Sequence, residues 1–373
     1  MQIARLFSVY SRHQWTVRPV QLSILLPTNR HDLLACSRVL QACSWAGPNI
    51  EVIVRDNSGN AQKRAMLSQV QRDNCKVILA EPCGPRENFA ALLPEARGDF
   101  VFCAADDDMG FDRGIAALPA IIDQITADPA VVGISGPYAV EASQASVIIN
   151  YQGMESDDVG VRLVGYLNET GPNVLLYSAL RRTVFTGAYE LLKNMPFAFS
   201  FHDQILSMLY LMNGRFVRLP RLFYLYDFGD WEVVATAQRR DVMYYTGAGL
   251  DPAINRLHWY LCAFEGAVLI MHSDAFLDYP LDKRQALANH WFVSMYTRFK
   301  THLRLTFDSP FAADMEKICE KLTSPAAPTS FDGMLAEITA GISVFSQARA
   351  QEYFAFWDSI VNKRAPLLRS SVA

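Results

Sequence analysis

Short apolar runs alternate with helix-periodic segments through the first part of the chain. The apolar runs span residues 22–26, 51–55, 76–79 and 100–103, and each has the length of a buried strand. Between them, apolar residues recur at helical spacing over 31–44, 61–71 and 86–96. This alternation predicts βαβ units and therefore an α/β fold with a mostly parallel, Rossmann-like sheet flanked by helices. The strands of such a sheet present their carboxyl ends at one edge.

Polar turns follow three of these runs, where ligands bind in open α/β sheets. They are Pro27-Thr28-Asn29, Asp56-Asn57-Ser58 and Asp106-Asp107-Asp108. Three adjacent carboxylates repel one another, and hard oxygen ligands of this kind suit Mg²⁺ or Mn²⁺ together with substrate phosphates. In an extended turn, Asp106 and Asp108 point the same way, which leaves Asp107 to solvent or a supporting role. The alternative is a solvated acidic turn that caps a helix starting near Phe111.

The pattern changes near residue 231. Before it, we expect strands over 131–135, 145–151, 174–180 and 216–226, and a helix over 203–212 that stops at Asn213-Gly214. After it, long helical patterns span 233–245, 254–272, 283–305 and 334–361. The sequence thus predicts an N-terminal extension (1–20), an α/β domain (21–230) and an appended α-helical region (231–373). The aromatic side chains of the helical region are expected mainly in a core, with an acceptor groove or a homodimer face as alternatives.

Charge and cysteine content narrow the classes of partner and compartment. The chain has 34 basic and 38 acidic residues, a net charge of −4, which gives no electrostatic basis for nucleic acid as a partner. Its seven cysteines form no CxxC pair, which indicates a reducing, cytoplasmic setting. No apolar run reaches transmembrane length, and residues 1–20 lack the apolar segment of a secretory signal. The basic residues Lys363, Arg364 and Arg369 suggest a frayed terminus or peripheral contact with the inner face of a membrane.

Five motifs occur in the order in which one enzyme family carries them. They are SILLPTNR (23–30), EVIVRDNS (51–58), NFAALLPEARGDF (88–100), the acidic triplet Asp106-Asp107-Asp108, and FHDQ (201–204). Together they make the first two-thirds of the chain resemble family 2 glycosyltransferases of the GT-A fold. The resemblance implies a metal-dependent, inverting transfer of a sugar from a nucleotide-diphosphate sugar, with a UDP-sugar favoured. The acceptor would be a hydroxyl of a glycan or lipid-linked glycan, as in polysaccharide assembly.

The resemblance also implies a role for each matching residue. Thr28 and Asp56 would hold the nucleotide base in a pocket shaped by Pro27, and Asp203 would be the catalytic base. Asp106 and Asp108 would hold Mn²⁺ or Mg²⁺. Further nucleotide contacts are expected from Asn29, Arg86, Asn88, Asp106 and Asp107, although an exposed position at a helix end is the alternative for Arg86.

Two departures from the family pattern affect the chemistry. His202 stands where the family carries Glu beside the catalytic Asp, which makes His202 a rival base because its ordinary pKa is better matched to neutral pH. The late metal-binding His of the family has no clear match, and Asp227, Asp230 and His258 are candidates. Asp203 begins a helix, so a simple first-turn carboxylate is its alternative interpretation. The free N–H groups there should favour its ionised form.

Two other functions remain open on the sequence alone. A nucleotidyltransferase also pairs a nucleotide fold with metal-binding carboxylates, but its Gly-rich loop after the first strand is absent from residues 27–30. The second alternative is a non-catalytic nucleotide-sugar-binding scaffold, which should tolerate Asp203→Asn. A Rossmann dehydrogenase is disfavoured because no GxGxxG follows the first strand.

Overall fold

The computed structural model describes residues 20–142, 145–169, 173–272, 279–302 and 309–362. The predicted N-terminal extension, apart from its last residue, and the basic residues Lys363, Arg364 and Arg369 lie outside these ranges. So do the side chains of Asp230 and Trp231.

The strands of the described chain form two sheets. Seven of them make the central sheet, in the order β10-β6-β9-β4-β1-β2-β3, and β5-β11-β7-β8 make a second sheet. The strands are β1 (Leu22–Thr28), β2 (Ile50–Asp56), β3 (Cys75–Leu79), β4 (Phe100–Cys103), β5 (Met109–Gly110), β6 (Val131–Ser135), β7 (Tyr138–Glu141), β8 (Ser146–Ile149), β9 (Ala179–Arg181), β10 (Arg215–Arg218) and β11 (Tyr224–Asp227).

The central sheet is mostly parallel, as predicted. Strand β1 lies between β2 and β4, pairs in parallel with both, and is buried along nearly its whole length. Strand β9 runs antiparallel between β4 and β6. Because β1, β2 and β4 end at the same edge, their polar turns converge there, and this expectation is confirmed.

Helices cover the sheet and form the C-terminal region. They are α1 (Leu33–Ser44), α2 (Ala61–Leu67), α3 (Pro85–Ala90), α4 (Asp112–Ile115), α5 (Leu118–Ile125), α6 (Val159–Leu167), α7 (Arg182–Asn194), α8 (His202–Asn213), α9 (Gly229–Glu232), α10 (Val234–Gly247), α11 (His258–His272), α12 (Leu281–His302), α13 (Ala312–Thr323), α14 (Phe331–Ser343) and α15 (Gln347–Val361). Short 3₁₀ helices span Leu93–Glu95, Leu175–Tyr177 and Pro252–Leu257.

Several predicted elements differ from the structure. The apolar run 174–180 is mainly a 3₁₀ turn that leads into the short β9, so its hydrophobic character reflects burial and not strand pairing. The segment 216–226 contains two strands, β10 and β11, which belong to different sheets. The pattern over 334–361 is two helices, because Ser346 caps a new helix and accepts from the Arg349 N–H. Helices α6, α9 and α13 were not predicted.

The helical region packs directly on the α/β part through α11. Most of the side chains of α11 are buried, and it lies against α8, α12, α14 and α15. The Trp291 indole of α12 donates to the Cys262 carbonyl over 3.0 Å and packs on Gly266, where a Cβ atom would lie 2.0 Å from the indole nitrogen. Gly266 therefore allows the close approach of α11 and α12. No helix among the described residues is both long and apolar enough to cross a bilayer.

Candidate active site

Hydrogen bonds join the ends of β1 and β4 at the carboxyl edge of the sheet. The Thr28 hydroxyl donates to Asp106 Oδ2 over 2.5 Å, and the Arg30 N–H lies 3.3 Å from the same oxygen. Thr28 and Asp56 are paired residues of the parallel β1 and β2. The structure thus brings together Thr28, Asp56 and Asp106, as the sequence predicted.

Asp56 faces the interior at this edge. Its side chain is fully buried, and Lys63 of α2, which is only 1% exposed, places Nζ 3.1 Å from Asp56 Oδ1. The same ammonium group donates to the Thr28 hydroxyl over 2.6 Å and to the Arg30 carbonyl. In this arrangement Asp56 holds Lys63 and the turn at Ser58, and its predicted contact with a nucleotide base stays a prediction.

The three carboxylates of the acidic turn have different surroundings. Residues 106–108 form a bend, not the extended turn expected, so Asp106 and Asp108 point to different neighbours. Asp107 Oδ2 lies 3.1 Å from Arg30 Nη1 and 3.5 Å from Arg240 Nη2. Burial and the charge of Asp106 raise the pKa of Asp107, and the two arginines oppose that rise.

Asp108 turns away from the solvent-accessible side of this edge. Its carboxylate accepts from the Tyr224 hydroxyl and from the Asp227 N–H of β11, each over 2.9 Å. Burial, together with the charge of Asp107, raises its pKa to about 7. Asp108 therefore ties the acidic turn to the second sheet.

A polar cavity of about 400 Å³ opens at the ends of β1, β2 and β4. Besides Asp106 and Asp107, four other predicted nucleotide-binding residues line this cavity: Pro27, Thr28, Asn29 and Asn88. The rest of the lining is Arg30, Asn57, Pro85, Arg240, Met243 and Tyr244. Asp56 and Asp108 are absent from this lining.

Asn88 and Arg86, both from α3, have distinct positions. Asn88 is buried and donates to the Asn57 side-chain oxygen over 3.0 Å, which fixes the amide that faces the polar cavity. The Arg86 guanidinium donates to the Leu192 carbonyl over 2.7 Å and lines the adjoining cavity instead. Arg86 thus joins α3 to the end of α7.

An apolar cavity of about 340 Å³ adjoins the polar one. The two share Pro27, Pro85, Asp106 and Tyr244. The apolar cavity lies between the end of β4, the helices α3, α7 and α8, and Tyr244 of α10, and its lining includes Phe89, Cys103, Leu176, Phe185, Tyr189, Leu192, Phe199, Ser200, His202, Asp203, Leu206 and Tyr210.

Asp203 faces the apolar cavity from the first turn of α8. Its Oδ1 accepts from the Gln204 N–H over 2.6 Å. We expected the free N–H groups at the start of the helix to keep the carboxylate ionised, but burial outweighs them and raises its pKa to about 6. With this pKa, Asp203 is mainly ionised at neutral pH and can accept a proton there, as a general base must.

His202, beside Asp203, is paired with a carboxylate of the helical region. Its Nε2 lies 3.4 Å from Glu265 Oε2, and its Nδ1 lies 3.4 Å from the Phe199 N–H. Glu265 is 1% exposed and also accepts from the Tyr353 hydroxyl over 2.9 Å. Burial raises the pKa of Glu265, and His202 and Tyr353 oppose that rise. His202 is thus held by Glu265 of α11 and by the backbone before α8, while Tyr353 of α15 holds Glu265.

The candidates for a late metal ligand lie in other networks. Asp227 pairs with Arg38 over 3.3 Å, and His258 Nδ1 lies 2.5 Å from the Tyr245 hydroxyl. Within the described ranges, no three His, Cys, Asp or Glu side chains are grouped as a preformed metal site.

Sequence reasoning missed several residues that shape the site. Lys63 shares the inner face of α2 with Leu67, four residues later, and that spacing was the signal for its burial. Arg240 and Tyr244 of α10 are also four residues apart and face the cavities together. Glu265 gave no local signal, because its role depends on how α11 packs on α8.

Comparisons with known proteins give a likeness of fold. No protein-family model and no curated protein sequence matches the chain. The solved structure of S. aureus TarS superposes with a TM-score of 0.55 at 14% identity, over 91% of this chain and 55% of that one. The chain therefore spans just over half the length of that protein.

Residues 1–349 of S. aureus TarS give similar values in two complexes. The complex with UDP-GlcNAc superposes with a TM-score of 0.54 at 16% identity, over 94% of this chain and 93% of that one. The complex with UDP gives 0.54 at 14% identity, over 92% of each chain. The chain thus shares its fold with S. aureus TarS: a mostly parallel sheet flanked by helices, with a C-terminal helical region.

Proposed function

We propose that the protein is an inverting glycosyltransferase that transfers a sugar from a nucleotide-diphosphate sugar, with a UDP-sugar favoured, to an acceptor hydroxyl. One observation carries the proposal. The polar cavity at the strand ends shares Asp106 with a second cavity that is lined by a carboxylate, Asp203, whose pKa burial raises to about 6. A nucleotide and a reacting hydroxyl thus have adjoining sites.

The chain's own residues supply binding and proton transfer. Thr28, Asn29 and Asn57 offer hydrogen-bonding groups to a nucleotide in the polar cavity. Arg30 and Arg240 flank Asp107 and are placed to contact phosphate oxygens. Asp203 accepts the proton of the acceptor hydroxyl while the oxygen of that hydroxyl attacks the anomeric carbon of the donor sugar. The bond from that carbon to the diphosphate oxygen breaks, and the nucleoside diphosphate leaves with the electron pair.

The donor set of the polar cavity fits a divalent cation held by two carboxylates. Asp106 and Asp107 line the cavity, and their like charges are the kind that a hard cation relieves. Asp108 fits less well, since both of its oxygens already accept hydrogen bonds from β11. When bound, Mn²⁺ or Mg²⁺ would neutralise charge on the departing diphosphate.

Donor binding can be tested by thermal unfolding with UDP, GDP, dTDP and UDP-GlcNAc, each with and without Mn²⁺. A nucleotide at a hundred times its dissociation constant should stabilise the protein by about 2.7 kcal/mol, because it binds only the folded state. The monophosphate with the same base (UMP, GMP or dTMP), which lacks a diphosphate, is the matched control. If none of the diphosphates raises the melting temperature above the value for its monophosphate, the proposed function is wrong.

A pair of variants tests which carboxylate contacts the cation. We expect Asp107→Asn to lower Mn²⁺-dependent UDP affinity by about tenfold or more, since it removes a charged oxygen ligand from the cavity. Asp108→Asn should keep that affinity, because an amide still accepts from Tyr224 and from the Asp227 N–H. Calorimetric titration with and without Mn²⁺ measures both. If Asp108→Asn lowers the Mn²⁺-dependent affinity and Asp107→Asn does not, Asp108 is the metal ligand, as the sequence predicted.

A further inference from the structure

The apolar cavity follows one face of α8. Asp203, Leu206 and Tyr210 lie three, four and seven residues apart, so their side chains line the same face of the helix. Seven residues of α-helix span about 10 Å. The cavity thus runs from the carboxylate of Asp203 to the phenol of Tyr210.

Aromatic rings form the far end of this cavity. The ring of Phe185 stacks on that of Tyr210, with centroids 5.9 Å apart, and on that of Tyr189 at 6.3 Å. Phe89 closes the side, its ring centroid 4.8 Å from that of Tyr189. These are separations at which aromatic rings attract one another, and all four rings line the cavity.

One polar atom at this end is left without a partner. Tyr210 is 0% exposed, and among the described residues nothing accepts from or donates to its hydroxyl. A buried hydroxyl that makes no hydrogen bond is costly, and native interiors rarely keep one. Because Tyr210 lines the cavity, a ligand in that cavity can supply the missing partner.

The lining is unsuited to a buried saccharide. Apart from Ser200, His202, Asp203 and the shared Asp106, the lining is mainly Phe, Leu, Tyr, Ala and Pro side chains. Among the described residues, the one further charged residue of this lining, Arg86, already donates to the Leu192 carbonyl. A sugar placed there would bury several hydroxyls against carbon, and each buried hydroxyl without a partner opposes binding. An aromatic ring has no polar group that would lose a hydrogen bond on burial, and the transfer of its apolar surface out of water favours binding.

We propose that the acceptor is a compact hydroxylated aromatic compound of one or two rings, seated between Asp203 and Tyr210. This identifies the acceptor class for the function proposed above and rests on it. The aryl hydroxyl at the Asp203 end gives its proton to that carboxylate as its oxygen bonds to the anomeric carbon. A second polar group at the far end pairs with the Tyr210 hydroxyl.

The test uses the full chain with 2-naphthol and 2,6-dihydroxynaphthalene as probes and N-acetylchitobiose as a saccharide control. Affinities are measured by calorimetric titration in the presence of saturating UDP. We expect both naphthols to bind and the saccharide to bind at least about tenfold more weakly. Naphthol binding no stronger than that of the saccharide, in a protein that binds UDP, overturns the acceptor class and leaves the proposed function standing.

Two variants test whether the probe binds in the apolar cavity. Leu206→Trp fills the cavity and should abolish naphthol binding, while retained UDP binding shows that the protein is folded. Tyr210→Phe removes the unpartnered hydroxyl and should weaken 2,6-dihydroxynaphthalene by about fivefold but leave 2-naphthol unchanged. If Tyr210→Phe weakens both probes equally, the second hydroxyl of 2,6-dihydroxynaphthalene does not pair with the Tyr210 hydroxyl.

A competition experiment tests whether the donor sugar occupies the cavity instead. If UDP-GlcNAc displaces 2-naphthol and UDP does not, the cavity holds the donor sugar and the proposal is wrong.

Discussion

Asp203→Asn should lower turnover by about 10²-fold or more while leaving donor affinity nearly unchanged. The reason is that general-base catalysis contributes about 10²–10⁴-fold, and an amide cannot take the acceptor proton. Burial raises the pKa of Asp203 to about 6, so turnover by the unchanged enzyme should rise with pH through about 6 as the carboxylate ionises. Initial rates of nucleoside diphosphate release, measured over pH 5–8, check both statements.

The stability of Asp203→Asn distinguishes a catalytic role of Asp203 from the alternative that its carboxylate only stabilises the first turn of α8. Folding raises the pKa of the Asp203 carboxyl from its ordinary value to about 6. At a pH between these two values, the folded state holds the proton more often than the unfolded state does. The free energy of unfolding therefore falls as the pH rises through this interval. Asp203→Asn should therefore be at least as stable as the unchanged protein at pH 7. A marked fall in stability together with unchanged turnover would fit a structural role or a non-catalytic scaffold.

His202→Ala is the matched comparison, because His202 is the rival base. It should cost less turnover than Asp203→Asn, since its imidazole is held between the Phe199 N–H and Glu265. If His202→Ala has the larger effect, and the pH dependence disappears with it, the two roles should be exchanged.

Lys63→Met should destabilise the fold by about 3–5 kcal/mol, the usual consequence of removing one partner of a buried ion pair. The substitution leaves Asp56 fully buried without its cation and removes donors to the Thr28 hydroxyl and the Arg30 carbonyl. Urea unfolding followed by tryptophan fluorescence measures the change. Nucleotide affinity should fall as well, because Thr28 and Arg30 line the polar cavity.

The double variant Lys63→Met with Asp56→Asn is the control for that prediction. Removing both charges should recover part of the lost stability, since the remaining amide no longer carries an uncompensated charge. If Lys63→Met alone changes stability by less than about 1 kcal/mol, the pair is solvated in solution and Asp56 is available to a nucleotide.

The sequence predicted the central sheet well because local pattern determines it. Strands β1, β2 and β4 are continuous apolar runs that end in polar turns, and parallel pairing then brings Thr28, Asp56 and Asp106 to one edge. Strand β9 escaped prediction as an antiparallel strand, because three residues carry no periodicity of their own. Residues 138–141, which form a strand of four residues, were also not predicted, and their pairing with β11 and β8 makes them a strand.

The orientation of side chains at the site was less predictable. The sequence places three carboxylates in a row but does not show that Asp108 turns to Tyr224, 116 residues later. The rise in the pKa of Asp203 comes from its burial beside the apolar cavity, which no spacing near residue 203 reveals. Contacts between α8 and α11 cross the sequence boundary predicted near residue 230.

Glu265 and His202 have a consequence for engineering this chain. The two residues lie in different predicted domains, yet the carboxylate of one holds the imidazole of the other beside Asp203. A chimaera that exchanged the helical region would therefore also exchange the support of the histidine at the mouth of the apolar cavity. Libraries aimed at new acceptors should vary positions 202 and 265 together, because a substitution at either one alone leaves a buried polar group behind.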